Sequence, residues 1–113
     1  MKLLDKQSLF AQNLAKLLQY ITSHGDRVSL GEVYRTPEQA KLNAKKGIGI
    51  VNSLHCKRLA VDLNVFDVNG KYLTEKVSYK PFGDYWKTLH PSNKWGGDWD
   101  KLVDSGHFQM DDD

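Results

Sequence analysis

Arg58-Leu59-Ala60-Val61-Asp62-Leu63-Asn64-Val65-Phe66 is the stretch on which the fold turns. Leu59, Val61, Leu63 and Val65 alternate with Ala60, Asp62, Asn64 and Phe66, the period-two pattern of a strand with one buried face. Asp62 therefore stands opposite the four aliphatic residues. A carboxylate in the middle of such a strand needs a partner, because an unpaired buried charge is costly. Asp67-Val68-Asn69-Gly70 then supplies a turn, with Asn-Gly its strongest element, and residues 71–74 are expected to pair back as a short strand.

Upstream, residues 5–23 carry Leu9, Phe10, Leu14, Leu17, Leu18 and Ile21 at helical spacing, with Gly25 where a C-terminal cap belongs. Residues 27–35 read as a strand with Val28, Leu30, Glu32 and Tyr34 on one side. Thr36-Pro37-Glu38-Gln39 is a helix start: Thr36 caps, Pro37 fits the first position and Gln39 completes a capping box. That helix is expected to end near Lys46, before Gly47 and Gly49, and residues 47–54 read as a loop. The Gly47-x-Gly49 pair lacks the lysine and the strand-loop-helix order of a phosphate loop. Downstream, the pattern predicts a third helix over 81–89, a Trp95-Gly96-Gly97-Asp98-Trp99 loop and a last strand over 106–110. Helices with a mainly antiparallel sheet make an α+β fold, a small sheet flanked by about three helices.

The chain of 113 residues, 40% of them hydrophobic, is expected to form a single domain spanning 1–113. Its one cysteine, Cys56, forms no internal bridge, so the fold does not call for an oxidising compartment. Asp5 and Lys6 interrupt the apolar start, and no segment approaches the roughly 20 apolar residues that span a bilayer. The expectation is a chain made in the cytosol, without a signal peptide, without membrane insertion, and monomeric. A net charge of +2 with no concentrated basic face argues against nucleic acid as a partner. Asp111-Asp112-Asp113 reads as a solvated tail.

His55 lies seven residues before Asp62, an odd spacing that meets it only if residues 53–57 curl back. In the last strand Phe108 and Met110 face the core while His107 and Gln109 face the other side, and Gly106 permits a bend that brings Asp104 round. Two histidines and one carboxylate suit a catalytic zinc site with water in the fourth position, and Asp104 is then the candidate base. The residues alone leave other readings open. A histidine near a strand end is more often structural than a ligand, Asp104 suits a turn, and Asp62 has Arg58 and Lys57 nearby as partners. Cys56 reads as an incidental thiol, and His24 and His90 as helix-end residues. Trp95 and Trp99 suit either a groove or a small-core anchor.

Ser53-Leu54-His55, Ala60-Val61-Asp62 and Asp104-Ser105-Gly106-His107-Phe108 together resemble the VanY-like metallopeptidases. These comprise D-alanyl-D-alanine carboxypeptidases and L-alanyl-D-glutamate endopeptidases of phage endolysins, with a Hedgehog/DD-peptidase-like fold. Glu32-Val33-Tyr34-Arg35-Thr36 and Trp95-Gly96-Gly97 resemble family segments as well. The resemblance implies that His55, Asp62 and His107 bind Zn2+, that Asp104 is the acid/base, that Arg35 is a catalytic and substrate-binding residue, and that Ser53 bonds within the site or to substrate. The implied partner is the peptidoglycan stem peptide. Where many members carry Gly between the first His and the Ala, this chain has Lys57-Arg58-Leu59. Asp104 in place of the Glu of many carboxypeptidases leans towards the endopeptidases, released to the wall through a holin. Three alternatives stand beside that reading: a D-alanyl-D-alanine carboxypeptidase, a non-catalytic zinc-stabilised binding module, and a metal-dependent nuclease.

Overall fold

A computed structural model describes residues 1–47 and 53–113. In chain order its regular elements are α1 (Leu3–Ser23), β1 (Arg27–Leu30), α2 (Pro37–Lys45), β2 (Ala60–Phe66), α3 (Lys76–Thr88), β3 (Asn93–Trp95) and β4 (His107–Met110). Short 3-10 turns cover Leu54–Lys57 and Gly96–Asp98. The strands form one antiparallel sheet in the order β1-β2-β4-β3. This is the α+β architecture expected, with β2 at its centre.

The alternation in β2 sorts its side chains as the sequence indicates. Leu59, Val61, Leu63 and Val65 are buried, while Asp62, Asn64 and Phe66 are half-buried. The aliphatic set joins Phe108 and Met110 of β4 in one core with Phe10, Leu17 and Ile21 of α1 and Tyr79, Phe82 and Trp86 of α3. Phe10 meets the Trp86 ring edge-on at 5.4 Å, and Tyr20 stacks on Tyr85 at 4.0 Å, which fixes the two helices against each other. The Trp86 indole N–H is satisfied by the carbonyls of Lys94 and Gln109, so this ring also anchors the helix to β3 and β4.

Several expected boundaries move. β1 ends at Leu30, which is 55% exposed, so only Val28 contributes to the core there. The Thr36 hydroxyl does accept from the Gln39 N–H at 3.1 Å, but the Gln39 amide turns to Asn43, so the capping box is half made. The 71–74 strand reduces to one bridge, Phe66 with Tyr72. Leu73 N–H still donates to the Val65 carbonyl at 2.9 Å, but the return bond is taken by Tyr79, whose hydroxyl accepts from the Val65 N–H at 3.2 Å and donates to the Leu73 carbonyl at 2.8 Å. Burying Tyr79 also draws the start of α3 back to Lys76, leaving Pro81 inside the helix rather than at its first position. The turn at Asp67 is as expected, with Gly70 at φ +83°. The loop expected over 47–54 lies in part outside the described residues, as does Gly49, and its end at Leu54 already belongs to a 3-10 turn.

The C-terminal tail is not a solvated end. Asp112 pairs with Lys6 of α1 at 2.8 Å and with Lys57, and Asp111 accepts from the Gln109 amide at 2.7 Å.

Candidate metal centre

Asp62 and His107 are direct partners in the β2–β4 ladder. Opposed residues on neighbouring antiparallel strands put their side chains on the same face within contact distance, and here that face is the one turned away from the helices. His107 Nδ1 lies 3.1 Å from Asp62 Oδ1. Its other nitrogen, Nε2, is 2.8 Å from Gln109 Oε1. Gln109 is two residues on, so the period-two rule puts it on the same face, a signal the sequence offered. With Nε2–H donating to that oxygen, Nδ1 is the nitrogen left for Asp62: it donates to the carboxylate when the ring is protonated and offers a lone pair to a metal ion when it is not.

His55 arrives by a different route. Ser53 is the N-cap of the Leu54–Lys57 turn, its hydroxyl accepting from the His55 N–H at 3.2 Å. Arg58 ends the turn with φ 57°, the left-handed region that costs an L residue about 1–2 kcal/mol and that glycine adopts freely. Arg58 lays its guanidinium over the Tyr34 ring at 4.1 Å, a cation–π contact that offsets part of the strain. The reversal that follows feeds β2, so the odd spacing of His55 and Asp62 is absorbed by the turn. His55 Nε2 ends 3.4 Å from Asp62 Oδ1. Lys57 goes to Asp112 and Arg58 to Tyr34, so neither is the partner of Asp62.

His55, Asp62 and His107 each offer a ligand atom, all within 4.8 Å of one another. His55 is 2% exposed, and among the described residues neither of its ring nitrogens has a hydrogen-bond partner. A buried imidazole left in that state pays the desolvation of both nitrogens, and a cation between the three side chains is the group that would satisfy one of them. Two imidazoles and a carboxylate leave a fourth tetrahedral position open, the donor set of a catalytic rather than a structural zinc site. The residues present fit the ion.

Burial works against ionising Asp62, but the His107 hydrogen bond and the charge of the neighbouring His55 and His107 rings hold its carboxyl far below the usual carboxylate range. Burial would likewise push His107 down, yet Asp62 and Gln109 raise it above the ordinary histidine value. Asp104 sits at the rim. The protein packed on one side of its carboxylate and the negative charge of Asp62 raise it, opposed by His107 and by the Gly106 N–H. Its backbone is pinned at both ends: Asp104 N–H donates to the Gly96 carbonyl at 3.1 Å, and the Asp104 carbonyl accepts from His107 N–H at 3.1 Å. Gly96 has to be glycine, since a Cβ there would stand 2.3 Å from the Asp104 carbonyl oxygen. Gly106 likewise serves close approach, its Cβ position lying 2.7 Å from the Leu63 carbonyl oxygen.

Trp95 is a core anchor, 1% exposed, and it ends β3 rather than lying in a loop. Its indole N–H donates to the Ser105 carbonyl at 2.7 Å, holding the turn that carries Asp104. Trp99 is at the site itself, its ring 4.9 Å from that of His107. Arg35 lies beside the His55 turn: one guanidinium nitrogen donates to Ser53 Oγ at 3.2 Å, and its Nε donates to Glu32 at 2.6 Å. Cys56 is a free thiol; His24 bonds the Tyr20 carbonyl at a helix end, and His90 accepts from Ser92 N–H in a turn. A cleft of about 390 Å³ opens beside the centre, lined by Asp62, Asn64, Tyr72, Thr74 and Asp104 among others.

Known proteins share this fold. The chain resembles the crystal structure of Serratia marcescens L-Ala D-Glu endopeptidase ChiX with a TM-score of 0.74 and 21% identity, covering 90% of this chain and 77% of that one. It also resembles the LdcB LD-carboxypeptidase, with a TM-score of 0.65 and 20% identity, covering 91% of this chain and 64% of that one. The chain thus spans about two-thirds of the LdcB structure's length. At these identities the likeness establishes the fold. No curated protein matches the sequence. A family model described as D-alanyl-D-alanine carboxypeptidase matches residues 46–110, more than half of the chain and the part that holds His55, Asp62, Asp104 and His107. On that match the chain belongs to the D-alanyl-D-alanine carboxypeptidase family.

Proposed function

We propose that this chain is a zinc peptidase that hydrolyses a bond in the stem peptide of bacterial peptidoglycan, and that the bond is L-alanyl-D-glutamate. The observation that carries the reading is the convergence of buried His55 and His107 on Asp62, with Asp104, its backbone bonded to Gly96 and His107, at the rim of the same centre. His55, Asp62 and His107 would hold the ion. Zinc bound there supplies Lewis-acid polarisation of a carbonyl and lowers the pKa of water.

The chain's own residues do the rest. Asp104 takes a proton from the attacking water and returns it to the leaving amine; its raised pKa suits a group that must hold a proton for part of the cycle. Arg35 offers the outer edge of its guanidinium to a substrate carboxylate or to the carbonyl oxygen, its inner edge being held by Glu32 and Ser53. Trp99 closes one side against His107. The lean towards the endopeptidase rests on Asp104, whose short side chain departs from the Glu of many carboxypeptidases. An endolysin role, with release through a holin, belongs to the same proposal. Among the described residues no helix is long and apolar enough to cross a membrane.

A second reading, removal of the terminal D-alanine, is favoured by the family description itself. Synthetic stem peptides with free and amidated C-termini separate the two. The endopeptidase cuts both between L-Ala and D-Glu. Release of D-alanine from the free peptide alone assigns the carboxypeptidase, and cleavage of neither, with zinc bound, rejects both.

A further inference from the structure

The sequence reading gave Glu32 no role, yet the structure places its side chain between two parts of the site. Beyond the end of β1 the chain stays stitched to Asp62: Gly31 N–H donates to the Asp62 carbonyl at 2.7 Å, and Asp62 N–H donates to the Glu32 carbonyl at 2.9 Å. Gly31 makes this approach possible, since a Cβ there would be 2.9 Å from the Asp62 carbonyl oxygen and 3.2 Å from its Cβ. The backbone of Glu32 is therefore fixed relative to Asp62. Its carboxylate oxygen Oε1 accepts from Arg35 Nε at 2.6 Å and also pairs with the Arg35 terminal nitrogen. The same oxygen lies 3.8 Å from His55 Nδ1.

His55 presents Nε2 to Asp62 and Nδ1 to Glu32. An imidazole that gives one nitrogen's lone pair to a metal carries its proton on the other, and that N–H requires an acceptor. Among the described residues Nδ1 has no hydrogen-bond partner, and Glu32 is the carboxylate that faces it. We propose that Glu32 is a positioning residue that couples the metal centre to the substrate arginine: it accepts from His55 Nδ1 when the ion is bound, while its grip on Arg35 sets where the guanidinium stands. This rests on the metallopeptidase reading and adds to it a link between ion affinity and substrate hold through one carboxylate.

The test is zinc affinity of the full chain, measured by competition with a chromophoric chelator, alongside KM on a stem peptide. Glu32→Ala is expected to weaken zinc 10- to 100-fold and to raise KM. Glu32→Gln, which keeps an acceptor oxygen, restores most of the zinc affinity but not the KM. Arg35→Ala raises KM and leaves zinc affinity within about threefold. Wild-type affinity in Glu32→Ala, or an equal loss in Arg35→Ala, overturns the proposal while leaving the peptidase reading intact. A wild-type chain that binds no zinc overturns both. Nitrogen-15 shifts of the zinc-loaded wild type, which need no variant to fold, give a further arm: a protonated Nδ1 on His55 is expected, and an Nδ1 that bears no proton contradicts the assignment.

Discussion

At the scale of single residues, the proposed function separates holding an ion (His55, Asp62, His107) from moving a proton (Asp104). His107→Ala removes one of the three proposed ligands and leaves Asp62 with one imidazole; zinc content and turnover are expected to fall together, as read by metal analysis of the purified chain beside an activity assay. Asp104→Asn leaves the three ligands in place. It is expected to keep about one zinc per chain and to lose roughly 10²- to 10⁴-fold in turnover, the usual worth of a positioned acid/base; turnover within tenfold of wild type would remove Asp104 from that role. His55, Asp62, Asp104 and His107 were legible from residue type and order together with the family resemblance. Of the second set, Trp99 stood only as a groove-or-core alternative, and Glu32 and Gln109 carried no assigned role. Gln109 followed from strand periodicity alone, whereas the approach of Glu32 to His55 depends on backbone pairing beyond a strand end that no local pattern marks.

Among the elements, the Trp95-Gly96-Gly97 segment acts through shape. The Trp95 ring lies between Gly83 of α3 and Gly97, whose Cβ positions would each fall 2.2 Å from ring atoms. Helix propensity alone would make Gly83→Ala stabilising by about 1 kcal/mol. Contact with the ring reverses that sign, and a net loss of about 1–3 kcal/mol is expected from overpacking, read from denaturant unfolding. Because Trp95 holds the Ser105 carbonyl, the same variant is expected to lower turnover by displacing Asp104. An unfolding free energy at or above wild type would show that the ring yields. The strong signals in the sequence, the alternation of β2, the Thr36-Pro37 start and the Asn-Gly turn, all survived in the fold. The failures share a cause: tertiary contacts overrode local pattern. Tyr79 takes one ladder bond of the hairpin around Gly70, its burial draws the start of α3 back before Pro81, and Trp95 is pulled from a loop into the sheet edge.

Across the whole molecule, the two ends of the chain are tied behind the centre. Asp112 bridges Lys6 of α1 and Lys57 of the His55 turn, and those cations depress its pKa to about 2. A depressed carboxylate contributes stability that is present above the unfolded value and is lost as pH falls through the folded one. Asp112→Asn is therefore expected to lower the melting temperature at neutral pH and to flatten its decline between about pH 4 and pH 2; an unchanged acid profile would show that the bridges contribute nothing in solution. The acidic tail escaped the sequence reading because its partners lie more than fifty and one hundred residues away in the chain. On the proposed function, this architecture delivers a metal-dependent cut to the stem peptide. Mass spectrometry of muropeptides from isolated peptidoglycan, with chelator and then with zinc restored, measures that directly. New stem fragments that vanish with chelator and return with zinc are the predicted result; an unchanged muropeptide profile from a zinc-loaded chain would contradict it.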